Sequence, residues 1–326
     1  MRRLILGDKD ISNSLKIDGK YVNVPFNIPF SASLLVVAGG GGGEQSYEFR
    51  TDDSDLNRNS AGAGGAGGMV YGDMVLEFKQ SFDIQVGAGG VQGIYGDNQS
   101  SQSGSRSIIE GSGSFEVIAF GGGKGGEANQ GSPEEIGGNG GSGGGGGGDI
   151  AVKYDGGIAT SGSFTGGSIT AIDNFQAFGN DGGTVTNCTG QQNRTANSGG
   201  GGAGGAGSSI ICSSVSGIGR TWPVNSLNYA IGGGNNSGVS DGFGFGGNDG
   251  SLLDVYNGPF PPNAPPTRYD TPSLRGSNGT VIIVYDSAAD GGPKATGGTI
   301  TQVGGTTYHT FLHSAEIAQF FVYKTI

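Results

Sequence analysis

The chain has 326 residues, 73 of them glycine, with 11 prolines, two cysteines and a net charge of −11. No G-X-Y period runs through it, which excludes collagen. Two cysteines make no disulfide scaffold, and the acidic balance opposes nucleic acid and anionic membranes, whose phosphates need an excess of Lys and Arg. With 16 Phe, 11 Tyr and one Trp it carries more apolar matter than a flexible Gly-Ser linker.

In chain order, MRRLILGDKD offers only a short apolar patch before Asp8 and reads as no signal peptide, and no stretch is apolar for long enough to span a membrane as a helix. LKIDGKYVNVPFNIPF predicts two short strands around an Asp18-Gly19 turn. Leu34 to Val37 is a continuous apolar run, predicted as a buried strand, and it opens directly into AGGGGG at Ala38. From there to Gly279 glycine runs alternate with strands and polar inserts. AGAGGAGG begins at Ala61. VLEFKQSFDIQVGAGG from Val75 places Phe82, Ile84 and Val86 at period two, and IIEGSGSFEVIAFGGG from Ile108 repeats strand-then-glycine. Further runs begin at Gly137 (GGNGGSGGGGGG), Ser198 (SGGGGAGGAGSS), Gly232 and Gly242. The longest inserts cover 44–59, 91–107, 149–197, 208–230 and 248–275, the last holding the helix-breaking PFPPNAPP. A strand over Val281–Tyr285 closes the region. After Ser287 a short linker leads to GGTITQVGGTTYHTFLHSAEIAQFFVY, read as two or three strands with a Gly304-Gly305 turn. Little helix is expected.

An ordered glycine costs about 0.5–1 kcal/mol more than alanine, so ordering these runs is worthwhile only where a missing side chain lets backbones approach. Extended polyproline-II-like glycine helices have no internal hydrogen bonds, and several laid side by side satisfy each other's N–H and C=O groups. Gly64, Gly140, Gly201 and Gly233 are the expected structural core of such an assembly.

SLLVVAGGGGG, then GAGGAGG, FDIQVGAGG, further glycine runs and GSNGTVIIVYDS together resemble the glycine-rich domain of bacteriophage tail-fibre and receptor-binding (adhesin) proteins, over about Ser33 to Ser287. GGTITQVGGTTYHTF resembles a short β element that stands in front of such domains; here it follows. The resemblance implies a mainly β and irregular fold: a polyglycine-II helix sandwich with flanking short strands and a small C-terminal β unit. It implies three segments: 1–32 as an N-terminal β segment, 33–287 as the glycine-rich domain with variable loops, and 288–326 as the C-terminal unit. It implies a virion protein, made in the host cytoplasm, whose loops bind a host-surface receptor (polysaccharide or outer-membrane protein). Other tail or fibre proteins are further partners, and a homotrimer is the expected assembly. The C-terminal strands would dock on Leu34–Val37 or Val281–Tyr285, of a neighbouring chain in preference to their own, because that also covers an exposed edge. Loop aromatics are the candidate receptor contacts: Tyr154, Phe164, Trp222, Tyr229, Phe243, Phe245, Tyr256 and Phe260, each with loop packing as the alternative. Other virion parts (capsid fibre, decoration or connector protein) and a non-viral glycine-rich structural protein are the alternatives.

Chemistry is not expected, and neither a metal nor a cofactor. GAGGAG at Gly62 and Gly202 matches GxGxxG but lacks the strand and helix of a dinucleotide site, and GGGKGGE at Gly121 lacks a P-loop ending. DDSDLNRN has Arg58 where a calcium loop begun at Asp53 needs Gly, and reads as a solvated loop. His309 and His313 share a strand face but no third ligand is evident. Glu134 and Glu135 have no context for glycosidase work. Cys188 and Cys212 read as free thiols if the protein stays in a reducing compartment.

Overall fold

The computed structural model describes residues 5–6, 9–10, 15–17, 20–22, 29–44, 47–50, 56–59, 61–93, 100–127, 136–148, 154–166, 172–187, 195–196, 198–210, 213–234, 243–247, 275–288 and 292–323. Twelve strands form the body. They are β1 (Phe30–Val37), β2 (Met69–Leu76), β3 (Ser81–Gln85), β4 (Ser107–Gly111), β5 (Glu116–Ala119), β6 (Gly162–Thr165), β7 (Ile172–Phe178), β8 (Thr280–Asp286), β9 (Ala295–Thr296), β10 (Thr299–Val303), β11 (Thr306–Leu312) and β12 (Ala318–Val322). They make two six-stranded antiparallel sheets, ordered β7-β2-β1-β8-β11-β10 and β6-β5-β4-β3-β12-β9. The fold is therefore mainly β-sheet, and its strands are the body of the molecule rather than short flanks. The one helical element among the described residues is the 3-10 turn Ser112–Ser114.

The sheets face each other across a core that takes alternate residues from both. Leu34 and Val36 of β1, Met74 and Leu76 of β2, Phe82 and Ile84 of β3, and Val281 and Ile283 of β8 all contribute to it. The period of two read over Phe82 and Ile84 places them inward while Ser81, Asp83 and Gln85 face water. The intervening residues of the central strands are buried as well. Leu35, Val37, Ile282 and Val284 face a second cluster with Met69, Ala66, Trp222 and Tyr229. Leu34–Val37 and Val281–Tyr285 read as unbroken apolar runs because these strands are covered on both faces.

At one side of the sandwich a bulge in β7, where the register shifts between Asp173 and Gln176, turns Phe175 over Gly72. A Cβ on Gly72 would fall on Cδ2 of the Phe175 ring and lie 2.7 Å from the Phe175 Cα, so this glycine makes the seat. Phe175 also packs against Phe164 of β6, ring centroids 5.5 Å apart, closing the sandwich between the two sheets.

Of the C-terminal strands β11 docks on Val281–Tyr285, one of the two expected places, and β12 docks on β3, which was not expected; both pairings are within the chain. β11 pairs with β8 from Thr280↔Leu312 to Asp286↔Thr306, and β12 pairs with β3 from Ala318↔Ile84 to Phe321↔Ser81. The residues after Ser287 thus complete both sheets of their own chain. Gly304 and Gly305, at φ 57° and 88°, form the two-residue turn between β10 and β11 in the left-handed conformation such hairpins need. In the N-terminal segment Leu15–Ile17 pairs with Lys20–Val22 around Asp18-Gly19, as read from sequence.

Candidate functional site

Every glycine run meets the sandwich at the same end. Runs leave from the C-terminal ends of β1, β3, β5 and β7 and return into β2, β4, β6 and β8. The opposite end carries the turns Glu77–Gln80 and Ser112–Ser114.

The run at Ala61–Gly68 shows how they hold together. Gly62, Gly65 and Gly68 donate N–H to the carbonyls of Gly126, Gly123 and Phe120. Ala63 and Ala66 donate to Ser198 and Gly201, and Gly64 and Gly67 donate to Gly247 and Gly244. Each neighbour is thus met every third residue. On the acceptor side the same run takes N–H bonds from Glu44, Gly41 and Ala38, from Gly145 and Ser142, and from Gly233. The central run is therefore bonded to six surrounding segments. A Cβ on Gly64 would fall on the Gly41 carbonyl oxygen, on Gly201 on that of Asn180, on Gly233 on that of Gly247, and on Gly140 on the Gly123 nitrogen. Alanine stands at Ala66 and Ala203, whose methyls join the second apolar cluster.

Residues 18–286 match the glycine-rich domain family. The chain belongs to the glycine-rich domain family. No curated protein and no solved structure matches it.

The far end of this glycine-rich domain is one hydrogen-bonded layer. Glu44 donates its N–H to Gly62, Gly62 to Gly126, Gly126 to Gly145 and Gly146 to Gly183. Gly93 donates to Gly43, Tyr154 to Gly147, and the Ser198 hydroxyl to Gly146. Three short hairpins start from it: Tyr47–Arg50 with Leu56–Asn59, Thr186–Asn187 with Thr195–Ala196, and Ser208–Ile210 with Ser213–Val215. A set of otherwise distant chain segments is fixed side by side here, mostly by backbone bonds.

The structure distributes the candidate aromatics unevenly. Trp222 is 1% exposed and Tyr229 2%, and their rings meet edge-on at 6.4 Å under the hairpin Arg220–Thr221/Asn228–Tyr229 that covers the first sheet. Phe245 is buried and Phe243 packs on the same cluster. These four pack the interior, and of the described candidates Tyr154 is the one half-buried at the far layer. Phe164 is exposed at 39% but sits on β6, at the edge of the sandwich, paired with Phe175. Tyr256 and Phe260 lie outside the described residues, as do Cys188, Cys212, Glu134, Glu135, Asp52, Asp53 and Asp55. The insert boundaries 149–197 and 208–230 also need correction. The first contains the edge strands β6 and β7, and the second ends in the hairpin over the sheet.

His309 and His313 do not share a ligand. His309 uses both ring nitrogens on Tyr285 and the Gly297 carbonyl, and His313 Nδ1 donates to the Val86 carbonyl at 2.7 Å. Among the described residues no three His, Cys, Asp or Glu side chains gather as a metal site, and no helix is long and apolar enough to cross a membrane.

Sequence reasoning passed over Glu44, whose one signal is a lone carboxylate closing the first glycine run. It is buried, and its Oε2 accepts the Ser101 N–H at 3.0 Å. Burial pushes its carboxyl above the ordinary value, partly offset by the Ser101 bonds, with Glu127 adding repulsion. A raised folded-state value favours the protonated form. That contribution is present below the unfolded value and lost as pH rises through the folded one. Glu44→Gln keeps the acceptor for Ser101 without the charge. It is expected to raise Tm at pH 7.5 by on the order of a few °C and to leave Tm at pH 4 nearly unchanged. Thermal melts at the two pH values check this; a variant less stable at pH 7.5 would show that the carboxylate is favourably held.

Proposed function

We propose that this protein is a bacteriophage virion component, a tail-fibre tip or receptor-binding adhesin, whose glycine runs take polyglycine-II geometry and carry host-recognising loops. The observation that supports it best is the far layer: several chain segments are locked together at the end opposite the sandwich turns, as loops are held by a rigid scaffold elsewhere. The three-residue bonding period of Ala61–Gly68 supports polyglycine-II geometry, which has three residues per turn. The order of strand and glycine motifs supports the phage reading. The protein would act by surface complementarity, without chemistry, on a polysaccharide or outer-membrane protein. It would be assembled in the virion with other tail or fibre proteins, as a homotrimer or as single copies. Its charge of −11 disfavours nucleic acid.

The test replaces residues 250–272 with a short Gly-Ser linker. These residues join the Gly247 run to the Gly276 run, so the described structure should be kept. The expected result is an unchanged melting profile with loss of adsorption of labelled protein to host cells. Unchanged adsorption would remove that segment from the recognition surface. An unaltered protein that binds no whole cells would favour a connector or decoration role.

A further inference from the structure

Inside the sandwich, where the chain crosses from β8 to β9, one polar cluster interrupts the apolar core. Tyr285 Oη accepts the N–H of Lys294 at 2.9 Å and of Ala295 at 3.2 Å, which occupies both oxygen lone pairs. Its own proton is left for His309 Nε2, 2.9 Å away. His309 Nδ1 lies 2.8 Å from the Gly297 carbonyl oxygen, an atom that only accepts, so Nδ1 carries the ring proton. The neutral Nδ1–H tautomer is the form that satisfies every group at once. His309 is fully buried, its ring stacked 5.5 Å from Tyr285 and met edge-on by Phe320 at 5.0 Å.

The geometry points to an acid-sensitive latch: protonation of His309 releases the crossing segment at residues 292–298 and, with it, β9 from the edge of the second sheet. A proton on Nε2 would face the Tyr285 hydroxyl, whose two acceptor positions are already taken. To accept it, Tyr285 must give up one of the N–H bonds of Lys294 and Ala295, the pair that pins the crossing segment to β8.

Among the described residues no carboxylate faces the imidazole to favour an imidazolium. β8 presents Tyr285, and its one carboxylate, Asp286, accepts the Ala288 N–H at 2.8 Å. β10 presents Ile300 opposite His309, and both β10 and β12 are uncharged. β11 itself, TTYHTFL, carries no charge besides the histidine. The crossing segment brings Lys294, a like charge, whose Nζ donates to the Asp286 carbonyl at 2.9 Å and lies 4.6 Å from the centre of the Phe30 ring. Tyr323 donates its hydroxyl to the Pro293 carbonyl. Burial lowers the His309 value, opposed by the bond to Gly297. A lowered folded-state value means that the latch is fully closed above the unfolded value of about 6.5 and loosens as pH falls below it.

Hydrogen–deuterium exchange of the full chain at pH 7.5 and 5.0, corrected for intrinsic rates, tests this. Amides at 294–297 are expected to lose protection on the order of tenfold for each pH unit below about 6.5, while β1 keeps its own. His309→Gln should abolish that step and His313→Gln should retain it; the chain has two histidines, so the pair covers both. Glu44 cannot mimic the effect, because acid favours its folded form. If His309→Gln does not fold, the wild-type imidazole decides by NMR: an Nδ1–H tautomer with a midpoint below 6.5 is expected. Equal protection at both pH values, a step that survives in His309→Gln, or a midpoint at or above 6.5 overturns the latch.

Discussion

Gly64→Ala unfolds the protein or destabilises it by on the order of 5 kcal/mol, although alanine ordinarily stabilises an extended chain relative to glycine. The reason is the position of Gly64 in the run bonded on six sides. Its N–H goes to Gly247, its carbonyl takes the Gly233 N–H, and a Cβ would fall on the Gly41 carbonyl oxygen. Nothing flexible lies in that direction, so at least one neighbouring run must move. Moving it breaks bonds in series, because each run meets each neighbour every third residue. Each lost backbone bond is worth about 1 kcal/mol net, and overpacking adds roughly 1–3 kcal/mol. Against a typical ~5–15 kcal/mol for a folded domain the sum is decisive. Gly205→Ala is the control. There a Cβ would meet the Ile218 side chain, Cγ1 at 3.0 Å and Cδ1 at 3.6 Å, with the nearest backbone atom 3.9 Å away, and the cost should stay within about 1 kcal/mol. Urea unfolding of the two variants separates them; equal, small effects would mean that the runs are not close-packed by necessity.

That contrast marks how far the sequence could be read. The need for close backbone approach followed from glycine's entropy cost, and Gly64, Gly140, Gly201 and Gly233 all lie where a Cβ has no room. The strand signals were legible where one face is wet, as in β3, and where both faces are covered, as in Leu34–Val37. The pairing partners were not legible. A glycine run carries no side-chain pattern, so nothing in GAGGAGG says that it bonds to Gly123, Gly201 and Gly247. β6 and β7 escaped notice because edge strands with mixed polarity, GSFT and IDNFQAF, do not alternate cleanly, and the bulge at Phe175 shifts the register. The choice between contact and packing for the aromatics was not legible for a related reason. Trp222 and Tyr229 stand in a polar, irregular stretch that looks like a surface loop, yet that stretch folds back over the first sheet, whose second face needs apolar cover.

Trp222→Ala should accordingly destabilise the fold by about 3–5 kcal/mol, the usual cost of emptying a fully buried large aromatic site. Trp222 is 1% exposed in a cluster with Leu35, Val37, Met69, Ile282 and Val284, so its removal opens a cavity against both central strands of the first sheet. The hairpin above it is small: Trp222 donates its N–H to Leu227 at 2.9 Å, and the Asn225 amide reaches the Tyr229 hydroxyl at 2.8 Å. A two-strand unit of that size is not stable by itself and depends on the indole for its seat. Trp222→Phe keeps most of the apolar volume and should cost less than half as much. Since the chain has one tryptophan, its own fluorescence reports the wild-type site, with blue-shifted emission in the folded state and a red shift on unfolding coincident with loss of β signal. The same variant separates packing from recognition. If Trp222 is an anchor, Trp222→Ala loses stability, and whatever fraction remains folded at low temperature adsorbs to cells with wild-type affinity. If stability is kept and adsorption alone is lost, the residue is a contact, and the hairpin must be able to lift from the sheet to present it.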